Sequence, residues 1–139
     1  MNFALEEGAI APTYAHDDDA GMDLYANEAA VIFPGGRAMI GTGLHVELPE
    51  GTYGAVMPRS GLAAKHGVTV LNAPGIVDHG YRGEVKVTLY NTSDRTFDVR
   101  HGDRIAQLIV SPYEHVELNE VGSLSETERG EGGFGSTGR

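Results

Sequence analysis

Glu84-Val85-Lys86-Val87-Thr88-Leu89-Tyr90 alternates apolar with polar side chains, so that Val85, Val87 and Leu89 fall on one side and Lys86 and Thr88 on the other. Successive side chains of an extended chain point to opposite faces, and this two-residue period predicts a strand with one buried face. Val116 and Leu118 alternate in the same way with Glu117 and Asn119. Outward from residues 84–90, short apolar segments predict further strands at Met22 to Tyr25, Ala30 to Phe33, Arg37 to Ile40, Leu44 to Leu48, Gly54 to Met57, Val68 to Leu71, Phe97 to Val99 and Ile105 to Val110.

Twenty glycines and six prolines punctuate these segments. Pro34-Gly35-Gly36, Pro49-Glu50-Gly51, Asn91 to Arg95 and His101-Gly102-Asp103 combine residues that preset a turn or tolerate positive φ. The pattern is all-β, with a sandwich, barrel or jelly roll as the expected architecture. Ser60 to His66 is the one helical segment, with Ser60 as the expected N-cap and Gly67 as the stop. After Val121 the only sizeable apolar side chains are Leu124 and Phe134, too few for a core. The chain therefore divides into a β domain over residues 1–121 and a flexible, Gly-rich arm over residues 122–139.

The 139 residues suit one core, and the absence of cysteine excludes disulfides and thiolate metal sites. The first thirty residues are acidic rather than basic and apolar, and no stretch approaches spanning length, so neither export nor a membrane is expected and the cytoplasm is the expected compartment. A formal net charge of −10 repels a polyanion and argues against a nucleic-acid partner. A small anion remains possible where arginines cluster locally. Asn91-Thr92-Ser93 fits a glycosylation triplet but reads as a turn.

Gly130 to Gly135 satisfies G-x-G-x-x-G, yet no strand leads into it and too little chain follows for a helix, which rules out a dinucleotide fold. The six histidines lack the close pairing of a transition-metal site. Magnesium, which needs only one or two carboxylates beside substrate phosphates, is the metal this composition suits. Asp23 and Asp78 each interrupt an apolar run, where an acid must be paired, hydrated or metal-linked if buried; turn aspartates share that pattern. Pro58-Arg59-Ser60-Gly61 offers amides, a hydroxyl and a guanidinium suited to phosphate oxygens, and an ordinary capped turn has the same sequence.

Taken together and in order, these segments resemble the five motifs of the trimeric dUTPase family: Ala20-Gly21-Met22-Asp23-Leu24-Tyr25-Ala26, Pro58 to Ala63, Asn72 to Glu84, Gly102 to Leu108, and Arg129 to Gly138. The match spans residues 20 to 138 and departs slightly around Ile76-Val77 and His79-Gly80. The resemblance implies a jelly-roll-like β-barrel, a homotrimer whose subunits share each active site, and hydrolysis of dUTP to dUMP and pyrophosphate with Mg²⁺. It further implies Asp78 as general base toward an attacking water, and Asp23 as holder of the ion's waters. Arg59, Ser60, Gly61, Gln107, Arg129, Gly135, Ser136 and Thr137 are the implied phosphate ligands. Uracil is expected in a hairpin from Asn72 to Lys86, read by Asn72 and by backbone groups of Ile76, Val77 and Asp78, with Tyr81 against the deoxyribose and Phe134 on the base. For Arg82 and Arg104 both a substrate contact and a structural ion pair stay open.

Two rivals follow from the same resemblance. Deamination of dCTP needs an acid further along the hairpin strand, where residues 85–90 carry none. A non-catalytic regulatory scaffold is the rival of another class, against which Asp78, Asp23 and the tail motif all stand.

Overall fold

The computed structural model of the protein describes residues 1–133, which form ten strands and one helix. The strands are β1 (Asn2–Leu5), β2 (Met22–Tyr25), β3 (Ala30–Ile32), β4 (Arg37–Glu47), β5 (Thr52–Met57), β6 (Val68–Val70), β7 (Gly75–Val77), β8 (Glu84–Asn91), β9 (Phe97–Val99) and β10 (Arg104–Pro112); the helix α1 is Ser60–His66. Two four-stranded sheets, in the orders β1-β4-β8-β6 and β2-β10-β5-β7, and a β3-β9 ribbon carry the fold. All pairings are antiparallel.

The alternation at residues 84–90 is realised: Val85, Val87 and Leu89 are at most 1% exposed. They meet Leu24, Ile40, Leu44, Val46, Val56, Val68, Ile105 and Leu108 in one core to which both large sheets contribute. No ladder joins those sheets among the described residues, which show the expected all-β architecture as two sheets around a shared core without closure into a barrel.

Two predicted strands merge. Arg37 to Ile40 and all of Leu44 to Leu48 but its last residue belong to the single strand β4, which ends at Glu47 and is interrupted by a register shift between Gly41 and His45. The Thr42 hydroxyl donates to the Val85 carbonyl at 2.5 Å, and the Gly43 amide donates to the Glu84 carboxylate at 2.9 Å, so β8 holds the bulge that the sequence shows only as a glycine break. Gly43 has φ 63°, and a Cβ there would lie 2.7 Å from that of Ala9, which excludes other residues on both counts.

Further corrections concern the ends. Arg59, not Ser60, is the N-cap of α1, and no side chain caps it; Gly67 closes the helix in the left-handed region as expected. Val116 and Leu118 lie outside any strand and are 66% and 95% exposed, because no strand of the chain pairs with them and periodicity alone supplies no ladder. No helix among the described residues is long and apolar enough to cross a membrane.

Candidate active site

The segment from Asn72 to Lys86 is not a hydrogen-bonded hairpin. β7 pairs with β5, while β8 pairs with β4 and β6, so residues 78–83 cross from one large sheet to the other. The reason is geometric: Val77 and Val85 both turn into the core, each covered by its own sheet. A cleft of about 320 Å³ opens at this crossing, and Asn72, Ile76, Val77, Asp78, Tyr81 and Lys86 line it. That volume lies at the low end for small-molecule sites. The cleft thus gathers six of the expected residues although the expected hairpin is absent.

Five of its other lining residues, Met39, Val56, Glu84, Val85 and Thr88, were not singled out by sequence. Thr88 shares the outward side of β8 with Lys86, which the alternation did contain; Met39 joins it only through the Met39–Thr88 register. Tyr81 folds back so that its hydroxyl donates to the Glu84 carbonyl at 3.0 Å. A Cβ on Gly83 would lie 2.9 Å from Cε2 of Tyr81, so glycine lets the ring occupy this place.

Glu84 borders the cleft and pairs with Lys86 at 3.2 Å. Partial burial pushes its carboxyl upward, but the Gly43 amide and the Lys86 ammonium outweigh this and hold it below the usual range. The same pairing holds the Lys86 ammonium above its ordinary value.

A second group of expected residues gathers where β2 and β10 meet the C-terminal end of β5. Asp23 is 3% exposed, and both its oxygens are engaged: Arg59 Nε donates to Oδ1 at 3.0 Å, and Arg104 Nη1 donates to Oδ2 at 3.1 Å. Arg59 Nη1 also donates to the Arg104 carbonyl at 3.2 Å. One buried carboxylate thus anchors two guanidinium groups and leaves the cluster with a net positive charge. Gln107 stands in register between Asp23 and Met57. Ser60 and Gly61 are exposed and lead α1, where the first amides of a helix lack intrahelical acceptors.

Arg82 pairs with Glu47 at 3.5 Å, and its Nη1 donates to the His79 and Tyr81 carbonyls at 2.7 and 3.0 Å. Arg129, on the exposed tail, donates to the Gly132 carbonyl at 2.8 Å. Phe134, Gly135, Ser136 and Thr137 lie outside the described residues.

The cleft and the arginine cluster share no lining residue, and no ion pair joins them among the described residues. Nor do the described residues include a group of three His, Cys, Asp or Glu side chains able to hold a metal.

An acid-edged cleft on one part of a β scaffold and a guanidinium cluster on another equip a protein that handles a phosphorylated ring compound. The sequence profile of the dUTPase family matches residues 7–138, and the chain belongs to that family. It is 53% identical to the deoxyuridine 5'-triphosphate nucleotidohydrolase of Clostridium tetani, over 97% of this chain and 93% of that one. Its identity to the enzyme of that name from Nocardia farcinica is 55%, over 96% of this chain and 82% of the other. Among solved structures, the dUTPase of Staphylococcus bacteriophage 80alpha with dUPNHPP superposes with a TM-score of 0.92 at 30% identity, covering 99% and 98% of the two chains. A mutant dUTPase from phage phi11 of S. aureus, described with a structural Mg(II) ion, gives 0.80 at 28% identity over 88% and 96%.

Proposed function

We propose that this chain acts as a dUTP pyrophosphatase in which Asp78 is the general base and the nucleotide arrives as its Mg²⁺ complex. The enzyme hydrolyses dUTP to dUMP and pyrophosphate. The observation that carries the residue assignment is the grouping of Asp78 with Asn72, Ile76, Val77, Tyr81 and Lys86 on one cleft. In this reading uracil enters the cleft and meets backbone groups of Ile76 and Val77 together with the Asn72 amide. Tyr81 packs on the sugar, where a ribose 2′-hydroxyl would meet its ring.

Asp78 accepts a proton from water as the water oxygen bonds to the α-phosphorus. The bond from that phosphorus to the bridging oxygen breaks, and pyrophosphate leaves. Arg59, the Ser60 and Gly61 amides, Gln107, Arg129, Gly135, Ser136 and Thr137 bind phosphate oxygens, and Phe134 covers the base. Magnesium held by the triphosphate offsets its charge. Asp23 orients Arg59 and Arg104, and it would also help to hold a hydrated magnesium ion that arrives with the triphosphate.

The separation of the cleft from the arginine cluster within one chain supports a site completed by a second subunit, and the family resemblance supports a homotrimer as that assembly. Residues 1–121 then form the domain and residues 122–139 the arm that closes over substrate, in the cytoplasm. Pyrophosphate release with Mg²⁺ from dUTP beside dTTP, dCTP and UTP tests the reaction. Release from dUTP alone is expected; ammonia from dCTP, or silence on all four from folded protein, would overturn it. Light scattering should return three times the 14.8 kDa chain mass, and a mass of one subunit would remove the shared site.

A further inference from the structure

His45 lies on β4, beside the register shift, with Ala4 of β1 opposite it on one side and Glu84 of β8 on the other. Its Nδ1 is 2.9 Å from the Arg82 carbonyl oxygen, and its Nε2 is 3.0 Å from a carboxylate oxygen of Glu6. A carbonyl and a carboxylate only accept, so both contacts are hydrogen bonds when both ring nitrogens carry hydrogen, that is, in the imidazolium form. Arg82 belongs to the crossing of residues 78–83, and Glu6 follows β1 in the N-terminal segment.

The charges around the ring favour that form. Glu6 and Glu84 face it, the latter shared with Lys86, while the Arg82 guanidinium is turned toward Glu47 on the same strand. Hydrogen bonding to the Arg82 carbonyl and then to Glu6, together with the Glu6 and Glu84 charges, outweighs partial burial and raises the imidazole above its ordinary value.

The other ties of the crossing do not depend on protonation in this way. His79 Nδ1 meets the Leu48 carbonyl at 2.9 Å, which a neutral ring satisfies; the Arg82 guanidinium pairs with Glu47 of β4 at 3.5 Å, and the hydrogen bonds of the Tyr81 and Arg82 side chains stay within the crossing or reach its Glu84 end. We infer that His45 is a positioning residue for the nucleotide site: as an imidazolium it clamps the Arg82 carbonyl to the Glu6 carboxylate and so fixes the segment carrying Asp78 and Tyr81. This rests on the roles proposed above for those two residues. A neutral His45 has one N–H and keeps one of the two bonds, so the segment loosens as pH rises through the imidazole pKa.

The test is steady-state hydrolysis of Mg·dUTP by the full chain from about pH 6 to about pH 9, with His45→Gln and Glu6→Gln beside the wild type. In the wild type KM is expected to rise about three- to tenfold across the titration while kcat changes less. Glu6→Gln should move that inflection to lower pH, and His45→Gln should abolish it, leaving KM near the high-pH wild-type value. An inflection that persists in His45→Gln, or a His45→Gln protein with wild-type KM throughout, would overturn the clamp. Hydrogen exchange at the amides of residues 79–83 without substrate reads the clamp apart from turnover. Exchange that accelerates with pH beyond the intrinsic rate in the wild type, and not in His45→Gln, supports it; equal corrected exchange overturns it. A wild type with that exchange behaviour and no turnover on dUTP would overturn the functional reading instead.

Discussion

Arg59 donates its Nε hydrogen to Asp23 Oδ1 at 3.0 Å, across a sequence separation of 36 residues, and the acid it meets is almost wholly removed from water. The second oxygen of Asp23 is held by Arg104. Removing the charge of Asp23 therefore disturbs two cations together. We expect Asp23→Asn to cost on the order of 2–3 kcal/mol in urea unfolding, less than for a fully buried pair because both arginines reach solvent. The Mg²⁺ concentration giving half-maximal rate should also rise; an unchanged value would confine Asp23 to its arginines.

Asp78 is exposed at the edge of the cleft and makes no side-chain hydrogen bond among the described residues, so its loss should leave the fold intact. For Asp78→Asn we expect a fall in kcat of roughly 10²- to 10⁴-fold, the range a positioned base contributes, with binding of a non-hydrolysable dUTP analogue preserved. Calorimetry of that binding, beside the rate, separates the two. Unchanged turnover would remove Asp78 from the base role.

Gly83 lies under the Tyr81 ring, and an added methyl group would meet it at contact distances that no side chain tolerates. Gly83→Ala should displace Tyr81 and break its bond to the Glu84 carbonyl. KM for dUTP should rise about tenfold, and the preference for dUTP over UTP should shrink, if the ring excludes the ribose hydroxyl. Parallel kinetics on the two nucleotides measure both.

Among the described residues, Arg129 bonds only within the tail, and residues 122–133 contribute nothing to the core. Deleting residues 129–139 should leave the urea midpoint unchanged while lowering turnover by at least about a hundredfold, the scale on which preorganised donors act. A truncated protein with full activity would remove the arm from the site.

Stability should respond to acid through Glu84. Its folded-state pKa lies below the ordinary carboxylate value, so its stabilisation is complete above that ordinary value, near 4.5, and is lost as pH falls through the lower, folded one. Unfolding free energies measured across this window should fall less steeply in Glu84→Gln than in the wild type. Equal slopes would show that the Gly43 and Lys86 contacts do not favour the charged form.

Much of the fold was legible because local chemistry and tertiary structure agree. Met22 to Tyr25 and Phe97 to Val99 are strands with the expected bounds, and α1 spans the expected Ser60 to His66. Disagreement arose where a partner decides. β1 is exposed along its whole length, so no burial period marked it as a strand; its ladder to β4 makes it one. Val116 and Leu118 show the converse, a period with no ladder.

Sequence by itself determined which residues are chemically eligible: the motif order, the isolated acids Asp23 and Asp78, the arginine beside Ser60 and the family resemblance are all written in one dimension. Only tertiary structure decided their grouping. Asp78 comes to Tyr81 and Lys86 because Val77 and Val85 must be buried under different sheets, which forces the chain between them to cross and open a cleft. Asp23 comes to Arg59 and Arg104 because β10 lies between β2 and β5, a pairing set by long-range ladders and a common core, and no local spacing encodes it.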